Sequence, residues 1–173
     1  MFINLWVNIF VFIFGLCIGS FLNCVIYRLE KKEKLAGRSY CPQCKNTLSW
    51  SDLFPVFSFL CLWGKCRYCS KKISWQYPIV EIATGILFVL VFGSLGFDWK
   101  LGIGIWDLIR MCFMFYVASA LIIIFVYDLK YYIIPDKILL PAIGIAFAFR
   151  LFENFSSIPN LIIATLVGSG FFL

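Results

Sequence analysis

Histidine is absent from all 173 residues. Without it the chain can build no Ser-His-Asp triad, no Cys-His dyad and no His-ligated metal site, so a general base has to be Asp, Glu, Lys, Tyr or Cys. Charge is scarce too: Asp, Glu, Lys and Arg together make up 14% of the chain. Apolar residues make up 62%, aromatics 20%, and the mean hydropathy is +0.94. Water-soluble domains run to about 45–50% apolar residues. This chain has more apolar surface than a core of its size can hide, and a lipid bilayer is the expected solvent.

Five apolar stretches carry that excess, at 2–26, 79–97, 105–127, 138–152 and from 158 to Leu173. About 20 residues cross a hydrocarbon core of about 30 Å. The first stretch is too long and too aromatic for a signal-peptide core and lacks a basic start, so it reads as a retained helix. The fourth is short, with Ile133 and Ile134 able to extend it past Pro135. The fifth is still apolar at Leu173, so the expectation is a chain that stops inside a helix, as a fragment would. The fold class is therefore an all-α polytopic membrane protein of about five transmembrane helices; between the first two, Cys41, Cys44, Cys66 and Cys69 fall in two Cys-x-x-Cys pairs, the pattern of a small cytoplasmic zinc-knuckle domain. The expected domains are 1–27 (first transmembrane helix), 28–77 (four-cysteine zinc domain) and 78–173 (a transmembrane domain).

The net charge of +6 is unevenly placed. Arg28, Lys31, Lys32, Lys34, Arg38, Lys45, Lys65, Arg67, Lys71 and Lys72 fall between the first and second stretches. Positive loops face the cytoplasm, which puts 28–77 and 128–137 inside, and the N-terminus, 98–104 and 153–157 outside. The same bias accounts for the basic loop without nucleic acid as a partner.

Four of the eight cysteines form two pairs, Cys41-Pro42-Gln43-Cys44 and Cys66-Arg67-Tyr68-Cys69, spaced C-x2-C-x21-C-x2-C. Two such knuckles make a tetrahedral Zn²⁺ site, and thiols stay available for metal in a reducing cytoplasm. Lys45, Lys65, Arg67 and Lys71 offset the charge of four thiolates. A closed four-thiolate site reads as a fold staple; a redox role for the pairs is the competing reading. Cys61 is a lone fifth thiol in the loop. No internal repeat stands out.

Asp128 directly follows an apolar run. A carboxylate at the bilayer edge is costly unless it faces water, a partner or a cavity, and such a setting can tune an acid for proton transfer. Pairing with Lys130 or solvation is the plainer alternative. Asp136 follows Pro135 and reads as an N-cap. Glu81 lies in the first turns of the second stretch, where the helix dipole favours an acid or a cavity accommodates it. Gly15, Gly19 and Ser20 are small enough for close helix packing.

Three blocks resemble the type IV prepilin peptidases, polytopic aspartic proteases of the bacterial inner membrane. The first is Gly19-Ser20-Phe21-Leu22-Asn23-Cys24-Val25-Ile26-Tyr27-Arg28-Leu29. The second runs from Cys41 through Leu48-Ser49-Trp50-Ser51-Asp52-Leu53-Phe54-Pro55-Val56 to Gly64–Cys69, Ile73-Ser74, Gln76-Tyr77-Pro78 and Glu81. The third runs from Asp128 to Asp136. The resemblance implies that Asp128 is one of two catalytic aspartates. It also implies that prepilins or pseudopilins are the substrates, and that S-adenosylmethionine serves an added N-methyltransferase activity in many members. The family's second aspartate lies in a Gly-x-Gly-Asp motif that this chain lacks. Gly168-Ser169-Gly170-Phe171 has Phe where Asp is required and reads as helix packing. The motif is expected beyond Leu173, and these residues alone are expected to be inactive. The alternatives are a non-catalytic scaffold with a zinc-held module that binds a partner, and a membrane thiol-disulfide oxidoreductase.

Overall fold

The structure is a computed structural model that describes residues 2–96 and 104–153. Among these residues it is built from helices: α1 (Phe2–Lys31), a 3₁₀ turn η1 (Trp50–Leu53), α2 (Phe57–Cys61), α3 (Gln76–Ser94), α4 (Ile105–Tyr131) and α5 (Asp136–Glu153). The chain divides into two compact units, Met1–Ile134 and Pro135–Leu173.

α1 runs five residues past the apolar stretch that announced it. Its last turn carries Arg28 and Lys31, cations that suit the negative end of the helix dipole. It stops where Lys32 turns left-handed at φ 55°. There the Glu33 amide donates to Arg28 O at 2.9 Å and the Lys32 amide to Leu29 O at 3.2 Å, the paired bonds of a Schellman cap. α4 likewise extends beyond the expected 105–127 and ends on Tyr132 at φ 55°, whose amide donates to Asp128 O at 2.7 Å.

In the first unit α1 and α3 approach closely. A Cβ added to Gly15 would lie 2.7 Å from Gly85 Cα, and one added to Gly19 would lie 2.7 Å from Glu81 Cα. Small residues let the backbones meet, which supports that part of the sequence reading. α4 joins through a ring cluster: Phe88 and Phe115 stack with centroids 4.2 Å apart, and Phe14 lies 6.0 Å from Phe88. Val11, Phe88 and Ala118 are buried at this junction.

α1, α3 and α4 are each long and apolar enough to cross a membrane. Among the described residues they are the three such helices, where five were expected. α5 carries Asp136, Lys137, Arg150 and Glu153 and is not among them. The fifth stretch, Gly168-Ser169-Gly170 and most of 98–104 lie outside the described residues.

In the second unit, the amides of Ile138 and Leu139 donate to Pro135 O at 2.9 and 3.0 Å. Pro135 therefore opens α5, and Asp136 sits in its first turn rather than at the expected N-cap. Ile133 and Ile134 precede the helix and do not extend it.

Candidate functional site

The segment between α1 and α3 folds as two copies of one hairpin. In the first, the Cys41 amide donates to Asn46 O, the Lys45 amide to Cys41 O and the Leu48 amide to Ser39 O, at 2.9, 2.9 and 2.8 Å. In the second, Cys66 donates to Lys71 O, Ser70 to Cys66 O and Ile73 to Gly64 O, at 2.9, 2.9 and 2.7 Å. Every partner shifts by the offset that separates Cys41 from Cys66. Lys45 and Ser70, the equivalent residues after each second cysteine, both turn left-handed, at φ 60° and 56°. The repeat is also written in the sequence, Cys-x-x-Cys-x-x-x-Leu-Ser-Trp at 41–50 and Cys-x-x-Cys-x-x-x-Ile-Ser-Trp at 66–75. A reading intent on the cysteines alone misses it.

The two hairpins face each other and bring all four thiols together. Their sulfurs lie within 4.8 Å of one another, and Cys41 Sγ is 4.0 Å from Cys69 Sγ across the pair. Tetrahedral zinc with Zn–S of about 2.3 Å sets sulfurs about 3.8 Å apart, so this donor set fits such an ion. Cys41 and Cys66 are buried, and Cys44 and Cys69 half-buried. The Lys71 amide pulls the Cys69 thiol down, but burial and its three thiol neighbours outweigh that and push it up to about 11. Four thiols this close resist ionising together unless a cation joins them.

Asp52 fastens one hairpin to the other. Its Oδ1 lies 2.8 Å from Arg67 Nε. Its Oδ2 accepts from the Ser49 amide at 3.1 Å, the Ser49 hydroxyl at 2.8 Å and the Tyr68 hydroxyl at 3.2 Å. Burial pushes this carboxyl up, but the Ser49 bonds, the Arg67 charge and Tyr68 together hold it below the usual carboxylate range.

A cavity of about 530 Å³ opens between the thiol module and the ends of α1 and α3. Asn23, 2% exposed, donates to Tyr77 O at 3.0 Å. Asn23 borders the cavity, and its buried Oδ1 has no hydrogen-bond partner among the described residues. Arg28, also buried, donates to the carbonyls of Lys34, Ala36, Gly37 and Arg38 at 3.0–3.2 Å. It thereby shapes the chain that leaves α1. The sequence reading counted Arg28 as charge and placed Asn23 and Arg28 in the first family block, with no contact assigned to either. The available signal was that both lie on the same block as Gly19 and Ser20. Glu81 is buried and accepts from the Val56 amide at 2.7 Å.

Asp128 lies elsewhere. It is exposed in the last turn of α4 and borders a groove of about 490 Å³ with Leu121, Ile122, Ile124, Phe125 and Ile134. Two residues on, Lys130 Nζ lies 3.6 Å from Glu30 Oε2, tying the end of α4 to the end of α1. Lys130 lines the large cavity and Asp128 does not.

Residues 13–95 match the family described as Bacterial Peptidase A24 N-terminal domain, and residues 115–173 match the Type IV leader peptidase family. The prepilin leader peptidase/N-methyltransferase of Klebsiella pneumoniae is 32% identical over 166 residues, covering 92% of this chain and 68% of that protein. The protein of the same name in Myxococcus xanthus is 36% identical over 146 residues, covering 83% of this chain and 41% of that protein. In Vibrio cholerae it is 36% identical over 146 residues, covering 79% and 54%. The chain thus spans from 41% to 68% of the length of these relatives. No solved structure matches it. Together with the two family matches, the Klebsiella pneumoniae relative, matched over 68% of its own length, shows that the chain belongs to the type IV leader peptidase family.

Proposed function

We propose that this chain serves an intramembrane aspartic endopeptidase that removes the basic leader from type IV prepilins or pseudopilins, with Asp128 as one of two catalytic carboxylates. The observation that carries the reading is the place of Asp128: on the last turn of a membrane-length helix, beside an apolar groove, at an end anchored to α1 by Glu30 and Lys130. The groove offers Leu121, Phe125 and Ile134 to the apolar helix that follows a leader, and Asp128 attracts the basic leader itself. The charge of the loops supports an orientation with the thiol module in the cytoplasm and the N-terminus outside the inner membrane.

Two close carboxylates cannot both ionise, so they share one proton. The ionised member takes a proton from water while the protonated member donates a hydrogen bond to the scissile carbonyl. One aspartate cannot do both. The sequence contains no Gly-x-Gly-Asp, so the proposal assigns Asp128 one of the two roles and holds that these 173 residues alone do not cleave.

Cys41, Cys44, Cys66 and Cys69 are proposed to hold one structural Zn²⁺. A four-thiolate site leaves no open position for water, so the metal clamps the two hairpins and takes no part in hydrolysis. The relatives' names include N-methyltransferase, and a cavity of about 530 Å³ is of the size that takes small molecules. S-adenosylmethionine, which supplies a methyl group when bound, is the proposed occupant. The Glu30 carboxylate would accept from its ammonium, and Lys71 and Lys72 would face its carboxylate.

The test is prepilin cleavage in membranes where the gene is expressed from its own reading frame. Asp128→Asn should lower the rate by about 10²–10⁴-fold, the range for loss of an acid–base group, with zinc content unchanged. Undiminished cleavage by that variant would overturn the assignment.

A further inference from the structure

We propose that the segment from Leu53 to Trp63 is embedded in the membrane interface, packed against lipid, and does not stand in water with the rest of the thiol module. The sequence reading placed all of 28–77 on the water side, and the geometry separates this segment from that assignment.

Depth is set by α3. It has 19 residues, about 28 Å at about 1.5 Å per residue. A hydrocarbon core of about 30 Å leaves it no length to spare, so Gln76 lies at the boundary. Glu81 lies about one and a half turns further in. The amide of Val56, the residue before α2, donates to Glu81 Oε2 at 2.7 Å. The Phe59 ring lies 5.0 Å from Trp75, directly before α3. The segment is therefore fixed alongside the first turns of α3 at two points, one of them inside the boundary.

The chemistry of the segment matches that depth. From Leu53 to Gly64 no residue is charged; Asp52 and Lys65 bracket it. Phe59 turns inward and is buried, while Phe57 is 66% exposed, Leu60 61% and Trp63 88%. Phe57 and Leu60 are three apart and share one face of α2. Such a face is costly in water, and the amphipathic ring of Trp favours the headgroup level. Beyond the segment, Lys65 and Arg67 follow where lipid phosphates would lie. Continuity with the spanning helix and depth along it identify lipid as the occupant, in preference to a partner protein.

Two measurements test this. In the first, the unaltered chain is reconstituted in phosphatidylcholine vesicles containing a phospholipid with a photoactivated carbene precursor near its headgroup. Mass spectrometry should find the label on the peptide holding Phe57, Leu60 and Trp63 several-fold more often than on the peptide holding Cys41 and Cys44. In the second, the five other tryptophans are replaced by phenylalanine, leaving Trp63. A companion chain has all six tryptophans replaced and carries Leu60→Trp. Acyl chains brominated near the headgroup should quench either probe several-fold more than chains brominated near the methyl end, and aqueous acrylamide should quench little. Equal labelling of the two peptides, or full acrylamide quenching with no bromine effect, would overturn the proposal. So would labelling of that peptide that starts low and rises only as the protein is diluted in lipid, since that marks a face covered by a second copy.

Discussion

The Val56 amide lies 2.7 Å from Glu81 Oε2, and Val56 itself has φ 59°. A β-branched residue rarely takes a positive φ, and such a conformation costs on the order of 1–3 kcal/mol. Two bonds hold the turn before α2: the Val56 amide donates to the buried Glu81 carboxylate, and the Phe57 amide donates to Pro55 O across Val56. The Glu81 bond ties the thiol module to the membrane helices.

Removing this acceptor should loosen α2 without disturbing the thiols. Glu81→Ala leaves the Val56 amide without its acceptor, at a cost of about 1–3 kcal/mol. Hydrogen exchange should speed up over 54–62, while the metal content of the chain stays the same. Unchanged exchange in that segment would show that the bond does not hold it.

The close helix approach makes opposite predictions for two glycines. Gly15→Ala would bring a Cβ to 2.7 Å from Gly85 Cα, whereas a Cβ at Gly93 meets nothing within 4 Å. Gly15→Ala should lower stability by about 1–3 kcal/mol through overpacking. Gly93→Ala should raise it by up to about 1 kcal/mol through helix propensity. Thermal unfolding in detergent compares the two against the unaltered chain.

The thiol cluster should bind zinc more weakly as pH falls. With the Cys69 thiol pushed up to about 11, the metal must displace protons to bind, so apparent affinity rises with pH and drops on acidification. Competition with a chromophoric chelator between about pH 6 and pH 8 should show about tenfold or more per unit of pH. Cys66→Ser should reduce bound zinc well below one per chain and make both hairpins more sensitive to protease, since the four-thiol site clamps them together.

Asp52 gives a second pH dependence with a defined sign. Its folded-state carboxyl is held below the usual range by Ser49, Arg67 and Tyr68 against the opposing effect of burial. The stability it contributes is full above the unfolded value near about 3.9 and is lost as pH falls through the lower folded value. Asp52→Asn should cost about 1–2 kcal/mol at neutral pH, in the range for a lost cap, and should flatten that acid-side decline. Urea unfolding of the zinc-loaded protein at about pH 7 reads the first effect, and the gap between variant and unaltered chain at about pH 3, where both have released zinc, reads the second.

The spans at 79–97 and 105–127 could be read from hydropathy because a bilayer demands long apolar runs, and α3 and α4 coincide with most of each. Their ends could not, because caps depend on backbone turns. Lys32 and Tyr132 end α1 and α4 in a left-handed conformation that residue type alone does not announce. Pro135 displaced Asp136 from the cap for the same reason: the carbonyl that receives the first helical bonds is settled by the path of the chain. The four cysteines could be paired from their spacing, since two C-x2-C pairs in one loop supply the four ligands of a single tetrahedral metal. Arg28 could not be assigned, because a basic residue at a helix end is ordinarily solvated. Only the return of 34–38 over it supplies four carbonyls.

By itself the sequence determined the solvent, the thiol pattern and the family blocks, because these rest on composition and on the spacing of a few residues. Tertiary structure decided which of those residues meet. It drew four thiols within 4.8 Å, put Asp128 on a groove apart from the cavity and joined Val56 to Glu81. The physical reason is that burial and hydrogen-bond partners depend on long-range packing of helices, which small residues such as Gly15 and Gly19 permit and which no local pattern encodes.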